Sequence, residues 1–357
     1  QNSLVTLGSW DSQYGDAIGL PTVSFGDGFG TLTEAQKAGF NQPSYFEYTK
    51  VSPDGAVVVP TDVGQYFVNV TDAGRAYLKS LDSTNPNLGL FVSGVLNITP
   101  KSVDATIQPV TVTYGDTPVV TGDLGETADQ ISQSDFELID TATGKTVSAS
   151  DLQVTGQYMV QYTAAAQAKF KKNANYDFKS FGSAKLTVTP KAITVTAQDT
   201  GKAYGDQADP TLTLTSDSSA GLVDGDQLAD LGVKLSRESG ETAGSYHIDL
   251  DPSSTLNSNY NVAVTKGTFT IAKLPVTVQI VNADKTYGEA DPTFQLSAES
   301  KAVLVNGDSL ADLGTITYTR VPGETVGSYA ISGSADGQSK NYCLLYTSDA
   351  ADEGLGV

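Results

Sequence analysis

Apolar and polar residues alternate with period two along most of the chain. In SYHIDLD, which starts at Ser245, Tyr246, Ile248 and Leu250 fall on one face and His247 and Asp249 on the other, as in a half-buried strand. The same alternation runs through GVLNITPKSVDATI around Thr99, AKLTVTPKAITVTA around Pro190 and GTFTIAKLPVTVQI around Lys273. In each of these stretches one unit closes and the next opens after very few residues. The proline at the joint removes a backbone donor and stiffens it. Helical spacing replaces alternation in TDAGRAYLKSLDSTN from Thr71 and TAAAQAKFKKNAN from Thr163. The first predicts a helix with Ala73, Ala76, Tyr77 and Leu81 on its apolar side and Thr71 or Asp72 as N-cap. Asn-Pro-Asn and Asn-Ala-Asn end the two helices.

Two short markers recur in fixed order. Tyr-Gly-Asp/Glu begins at Tyr14, Tyr114, Tyr204 and Tyr287, and Gly-x-Tyr follows it at Gly64, Gly156, Gly244 and Gly327. Internal repetition of this kind sets the architecture. It divides the chain into repeats at 1–100, 101–190, 191–273 and 274–342. The last two are close copies: GLVDGDQLADLG from Gly221 matches VLVNGDSLADLG from Val303, and SRESGETAGSY from Ser236 matches TRVPGETVGSY from Thr319. The expected fold is mainly β, in tandem small domains. A β-grasp-like sheet with one helix suits the first two repeats, and β-grasp or an immunoglobulin-like sandwich suits the last two. Short joints between like domains predict an extended, monomeric rod. The near copies KAYGDQADP and KTYGEADP, from Lys202 and Lys285, read as turns, with Tyr204 anchoring the end of the first strand and the recurrent tyrosines filling each repeat's own core.

The formal net charge of −20 argues against nucleic acid and anionic membranes as partners. No apolar run is long enough for a membrane span. The single cysteine, Cys343, leaves no disulfide or thiolate metal site in the body of the chain. The chain opens at Gln1 without a basic and apolar leader, so we expect an internal piece of a longer exported polypeptide.

The pattern YGD…DP…LVxGDxLADLG…RxxGETxGSY…NYNV…GTFTI in repeats three and four resembles the YGX type of MBG domain. Repeats one and two, with Gly-Gln-Tyr, TDAGRAYLKSLDSTNPN and closing LNITP or LTVTP, resemble the general MBG type. The resemblance covers nearly residues 1–342. It implies a secreted or cell-wall protein of lactobacilli or related Gram-positive bacteria, extracellular and non-enzymatic. Its repeats would form a stalk or an adhesin meeting host mucin or other mucus glycans. The alternative is an accessory repeat region of a secreted glycan-processing enzyme with its catalytic domain elsewhere. No catalytic or cofactor residues are implied.

The end of the chain departs from that pattern. After Asn341-Tyr342 the sequence reads CLLYTSDAADEGLGV, without the strand alternation or the Gly-Thr-Phe-Thr-Ile closing strand of repeat three. It resembles adapter-derived read-through, so residues 343–357 are expected to be a non-native tail that leaves repeat four with an open sheet edge. Candidate chemistry is sparse. His247 is the only histidine, its counterpart in repeat four is Ala330, and no Gly-x-Ser-x-Gly elbow is present. Asp206, Asp209, Asp224 and Asp226 are weak calcium candidates, with Glu289, Asp291 and Asp308 as counterparts. Their spacing matches no EF-hand, and Asp in Gly-Asp and Asp-Pro pairs is also what turns use. No metal or cofactor is assigned. A Lys–Asn isopeptide crosslink is a further chemistry that such domains can carry.

Overall fold

A computed structural model describes residues 5–29, 32–50, 52–83, 90–335 and 339–348. The chain forms two compact units, residues 1–189 and 190–357.

In the first unit, repeat two shows the plan most fully. Its first strand is divided. Lys101–Ile107 lies in one sheet, parallel to Tyr176–Phe181 and antiparallel to Gly122–Asp123. Val110–Thr113 crosses to a second sheet and runs parallel to Ser183–Thr189. The last strand divides in the same way at Gly182, whose N–H donates to the Ala105 carbonyl at 2.8 Å. The larger sheet has the order Val110–Thr113, Ser183–Thr189, Tyr158–Tyr162, Phe136–Asp140, Thr146–Val147. The core lies between the sheets: Val103, Ala105 and Phe178 from one face Val112, Val160 and Leu186 from the other. This is a sandwich, with the helix Ala164–Lys171 closing one end through buried Ala166 and Phe170.

Repeat one follows the same order, Trp10–Gln13, Gly94–Thr99, Gly64–Val70, Phe46–Thr49, Val57–Val58. Its helix is Asp72–Leu81, and the Thr71 hydroxyl accepts from Gly74 N–H as N-cap. The buried face is one position off the expected stripe: Gly74 and Leu78 are buried, Tyr77 and Leu81 half-buried, and Ala73 and Ala76 exposed. The reason is close approach. A Cβ on Gly74 would stand 2.9 Å from the Tyr45 carbonyl oxygen and 2.7 Å from Val70 Cγ1. Glycine lets the backbone itself pack where the pattern suggested alanine. Asn85-Pro86-Asn87 lies outside the described residues. In Asn173-Ala174-Asn175, the Asn173 side chain accepts from Asn175 N–H at 3.2 Å.

In the second unit, repeat three keeps the divided strands and has no helix after the Gly-x-Tyr strand. Lys191–Thr196 runs parallel to Tyr260–Thr265. The larger sheet is Thr200–Ala203, Gly267–Ala272, Gly244–Leu250, Leu235–Arg237. In repeat four Leu274–Ile280 runs parallel to Tyr342–Ser348, and Ile316–Arg320 is antiparallel to Ile331–Ala335.

The strand therefore continues past Tyr342, where the sequence led us to expect the native fold to stop. Tyr342 is buried, Leu344 and Tyr346 are half-buried, and Cys343 and Leu345 are exposed. Residues 343–347 take the place that Asn261–Thr265 hold in repeat three, because the strand alternates in the same phase as Tyr260-x-Val262-x-Val264.

Candidate functional site

The recurrent markers meet at a joint between repeats. In the second unit, Tyr204 of repeat three donates its hydroxyl to Asp308 Oδ2 of repeat four at 2.8 Å. Tyr342 donates to the same oxygen at 2.7 Å. The two rings stand edge to face, 5.4 Å between centroids. Burial, with the Asp308 charge, pushes the Tyr342 phenol up to about 12. Gly205 holds φ at 97°, and a Cβ there would stand 2.6 Å from Val305 Cγ2. Gln207 Nε2 donates to Asn306 Oδ1 at 3.1 Å, and Ala243 N–H donates to Asn341 Oδ1 at 2.9 Å. Repeat three thus presents its Tyr-Gly-Asp corner and the turn before Gly244. Repeat four receives them on the Val305–Asp308 turn and on Asn341-Tyr342.

The first unit repeats the arrangement. Tyr14 packs edge to face on Tyr176 at 5.3 Å, and Val63 N–H donates to Asn175 Oδ1 at 2.9 Å. Asn175-Tyr176 and Asn341-Tyr342 hold corresponding places, so one geometry recurs in both units. The fourth copy of the first marker is different: Tyr287 is 74% exposed, against 7% for Tyr204. The reading of Tyr204 as a strand-end anchor in its own core is corrected accordingly, because its burial comes from the following repeat.

The second marker does serve its own repeat. Tyr66 and Tyr158 are buried. The hydroxyls of Tyr66, Tyr246 and Tyr329 each donate to the carbonyl four residues upstream, of Asp62, Thr242 and Thr325, at 2.6–2.8 Å. Each ring pins the turn that precedes its strand, in the manner of a tyrosine corner.

The acidic candidates are held by protein groups. Asp206 Oδ2 accepts from Ala203 N–H at 3.1 Å and caps the turn. Asp209 Oδ2 lies 2.7 Å from Arg237 Nε, and its Oδ1 lies 2.8 Å from Lys202 Nζ. Glu241 completes a quartet, 2.7 Å from Lys202 and 2.8 Å from Arg237. Repeat four builds the same quartet from Lys285, Asp291, Arg320 and Glu324. Asp226 accepts from the Tyr260 hydroxyl at 2.5 Å, and Asp224 is exposed in a turn. Among the described residues, no three His, Cys, Asp or Glu side chains are grouped to hold a metal.

Lys202, Arg237 and Glu241 were not singled out from the sequence. The signal was available in the identical Lys-x-Tyr-Gly, Asp-Pro and Arg-x-x-Gly-Glu of both copies. The quartet also bears on crosslinking, since the Lys202 side chain is only 4% exposed and touches a carboxylate. Amide formation needs a neutral amine and a protonated acid. Arg237, then Lys202, hold Asp209 down at about 2, and Asp209 and Glu241 raise Lys202. Both groups therefore stay ionised and form salt bridges.

A pH dependence follows. Asp209 is depressed from 3.8 to about 2, so its contribution is present above the unfolded value and is lost as pH falls through about 2. Thermal melts between about pH 5 and pH 2 are expected to show stability falling toward the acid end, less steeply in Asp209→Asn.

His247 is exposed on its strand and Cys343 is exposed on the last one. Among the described residues, no helix is long and apolar enough to cross a membrane.

Comparison with known proteins matches these repeats to two related family models. The MBG domain (YGX type) matches residues 193–270 and 276–350, and the MBG domain matches residues 101–190. No curated protein matches the chain. Among solved structures, the S-layer protein rSbsC(31-844) is similar at 12% identity with a TM-score of 0.22, over 81% of this chain and 43% of that one. The chain thus spans less than half of that protein's length.

Proposed function

Because the chain belongs to the MBG domain family across residues 101–190, 193–270 and 276–350, we propose that it is a non-enzymatic repeat segment of a bacterial cell-surface protein, acting as a stalk. The observation that carries this reading is the repeated joint: Tyr14 on Tyr176 in one unit, and Tyr204, Asp308 and Tyr342 in the other. A polar, aromatic contact at the same marker in both units is what a chain needs if successive domains are to resist separation. The first repeat shares the sheet order of the second, which supports counting it with the MBG domains.

Limited trypsin digestion tests the stalk reading. Lys101 and Lys273 stand at the joints, and Lys273 Nζ donates to the Ser339 carbonyl at 2.8 Å. Both sites are expected to outlast exposed loop lysines such as Lys145. Early release of single repeats by cleavage at Lys101 or Lys273 would overturn the reading. Contact with mucin is a separate, finer proposal. Retention on immobilised mucin beyond that of an unrelated protein of equal acidity would add an adhesive role, and equal retention would leave the stalk alone.

A further inference from the structure

Asn-Gly occurs once in the chain, at Asn306-Gly307, in the turn that repeat four offers to the joint. Among the described residues Asn306 is the one non-glycine with positive φ, at 57°, and Gly307 follows at 75°. Asparagine tolerates this left-handed conformation better than most side chains. Asp308 N–H closes the turn by donating to the Val305 carbonyl at 3.0 Å. Asn306 and Gly307 are both exposed.

Three features leave the Asn306 amide open to attack by the chain itself. Gly307 has no side chain to shield its nitrogen, and a Cβ there would meet nothing within 4 Å. Among the described residues, no backbone carbonyl accepts from Gly307 N–H. Gln207 of repeat three donates to Asn306 Oδ1 at 3.1 Å, the oxygen on which negative charge develops when Cγ is attacked. Repeat three carries the acid at the corresponding place, Asp224-Gly225. There Gly225 has φ 93°, and Asp226 N–H donates to the Val223 carbonyl at 3.0 Å. An aspartate is therefore compatible with this turn.

We propose that Asn306 is a site of spontaneous deamidation whose isoaspartyl product releases the joint. The Gly307 nitrogen bonds to Asn306 Cγ, and the Cγ–Nδ2 bond breaks. Ammonia leaves, carrying the proton of Gly307 N–H. The cyclic imide then takes up one water. Opening at Cγ gives aspartate. Opening at the main-chain carbonyl gives isoaspartate, the main product because that carbonyl is the more electrophilic. The sum is amide plus water to acid plus ammonia, with no oxidation or reduction. In isoaspartate the chain runs through Cβ and Cγ, which lengthens the main chain by one atom between positions 306 and 307. The lengthened turn cannot keep the bond from Asp308 N–H to Val305. Asp308 then leaves the hydroxyls of Tyr204 and Tyr342, and Val305 leaves its seat against Gly205.

The test ages the full chain in warm, mildly alkaline buffer and maps its tryptic peptides by mass spectrometry. Asn306 is expected to convert roughly tenfold faster than any other asparagine, with isoaspartate in excess. As it converts, hydrogen exchange at Val305 and Asp308 should quicken several-fold. Fresh Asn306→Asp should exchange like the unaged chain. Aged Asn306→Gln, whose larger ring closes slowly, should also stay unchanged. Conversion of Asn306 no faster than of other asparagines, or unchanged exchange in the converted chain, would overturn the proposal. So would equal quickening in aged Asn306→Gln, which would uncouple the change from deamidation. Quickening in fresh Asn306→Asp would assign the effect to charge and overturn the isoaspartyl step.

Discussion

Tyr204→Ala is expected to lower the stability of the chain by about 3 kcal/mol, the scale of deleting a buried aromatic ring. Tyr287→Ala is expected to change it by no more than about 0.5 kcal/mol. The two residues hold the same place in near-identical motifs, and the glycines after them adopt similar backbone angles, φ 97° at Gly205 and 88° at Gly288. If the tyrosine served the turn it belongs to, both substitutions would cost alike. It serves the joint, and only Tyr204 has the Asp308 carboxylate and the Tyr342 ring against it. Denaturant unfolding of the two variants measures the difference, and equal losses would show that the marker is a turn anchor after all.

The largest loss is expected from Phe269→Ala. Phe269 is fully buried in the closing strand, opposite Thr200 on one side and Tyr246 on the other. Its ring supports Arg237, which holds Asp209 and Glu241. Removing it opens a cavity at the centre of the sheet, at a cost of about 3–5 kcal/mol. It also loosens the quartet, so hydrogen exchange should quicken in Thr200–Ala203 and Gly244–Leu250 together. A loss below about 1 kcal/mol, or exchange confined to the substituted strand, would mean that the closing strand does not organise its neighbours.

Much of this was legible in the sequence. Alternation located the strands, helical spacing located the two helices, and Thr71 or Asp72 was read as the cap of the first, where Thr71 serves. What escaped reading depends on contacts over long separations. Tyr204 and Tyr287 look alike in sequence because burial by Asp308 and Tyr342 comes from more than a hundred residues away. The division of the first strand between two sheets was hidden because both halves alternate in the same way. Lys202 and Asp209 come from one segment and Arg237 and Glu241 from another, and neither segment alone shows the quartet. At Cys343–Ser348 the sequence was read as lacking strand alternation, whereas Tyr342, Leu344 and Tyr346 alternate inward and the segment pairs with Leu274–Ile280.

The central claim, that Tyr-Gly-Asp is a joint between successive repeats, is tested most directly by a double-mutant cycle on the full chain. The cycle compares Tyr204→Phe, Asp308→Ala and the double variant. A hydrogen bond of 2.8 Å across the joint should appear as a coupling energy of about 1 kcal/mol. Effects that simply add, within about 0.3 kcal/mol, would contradict it.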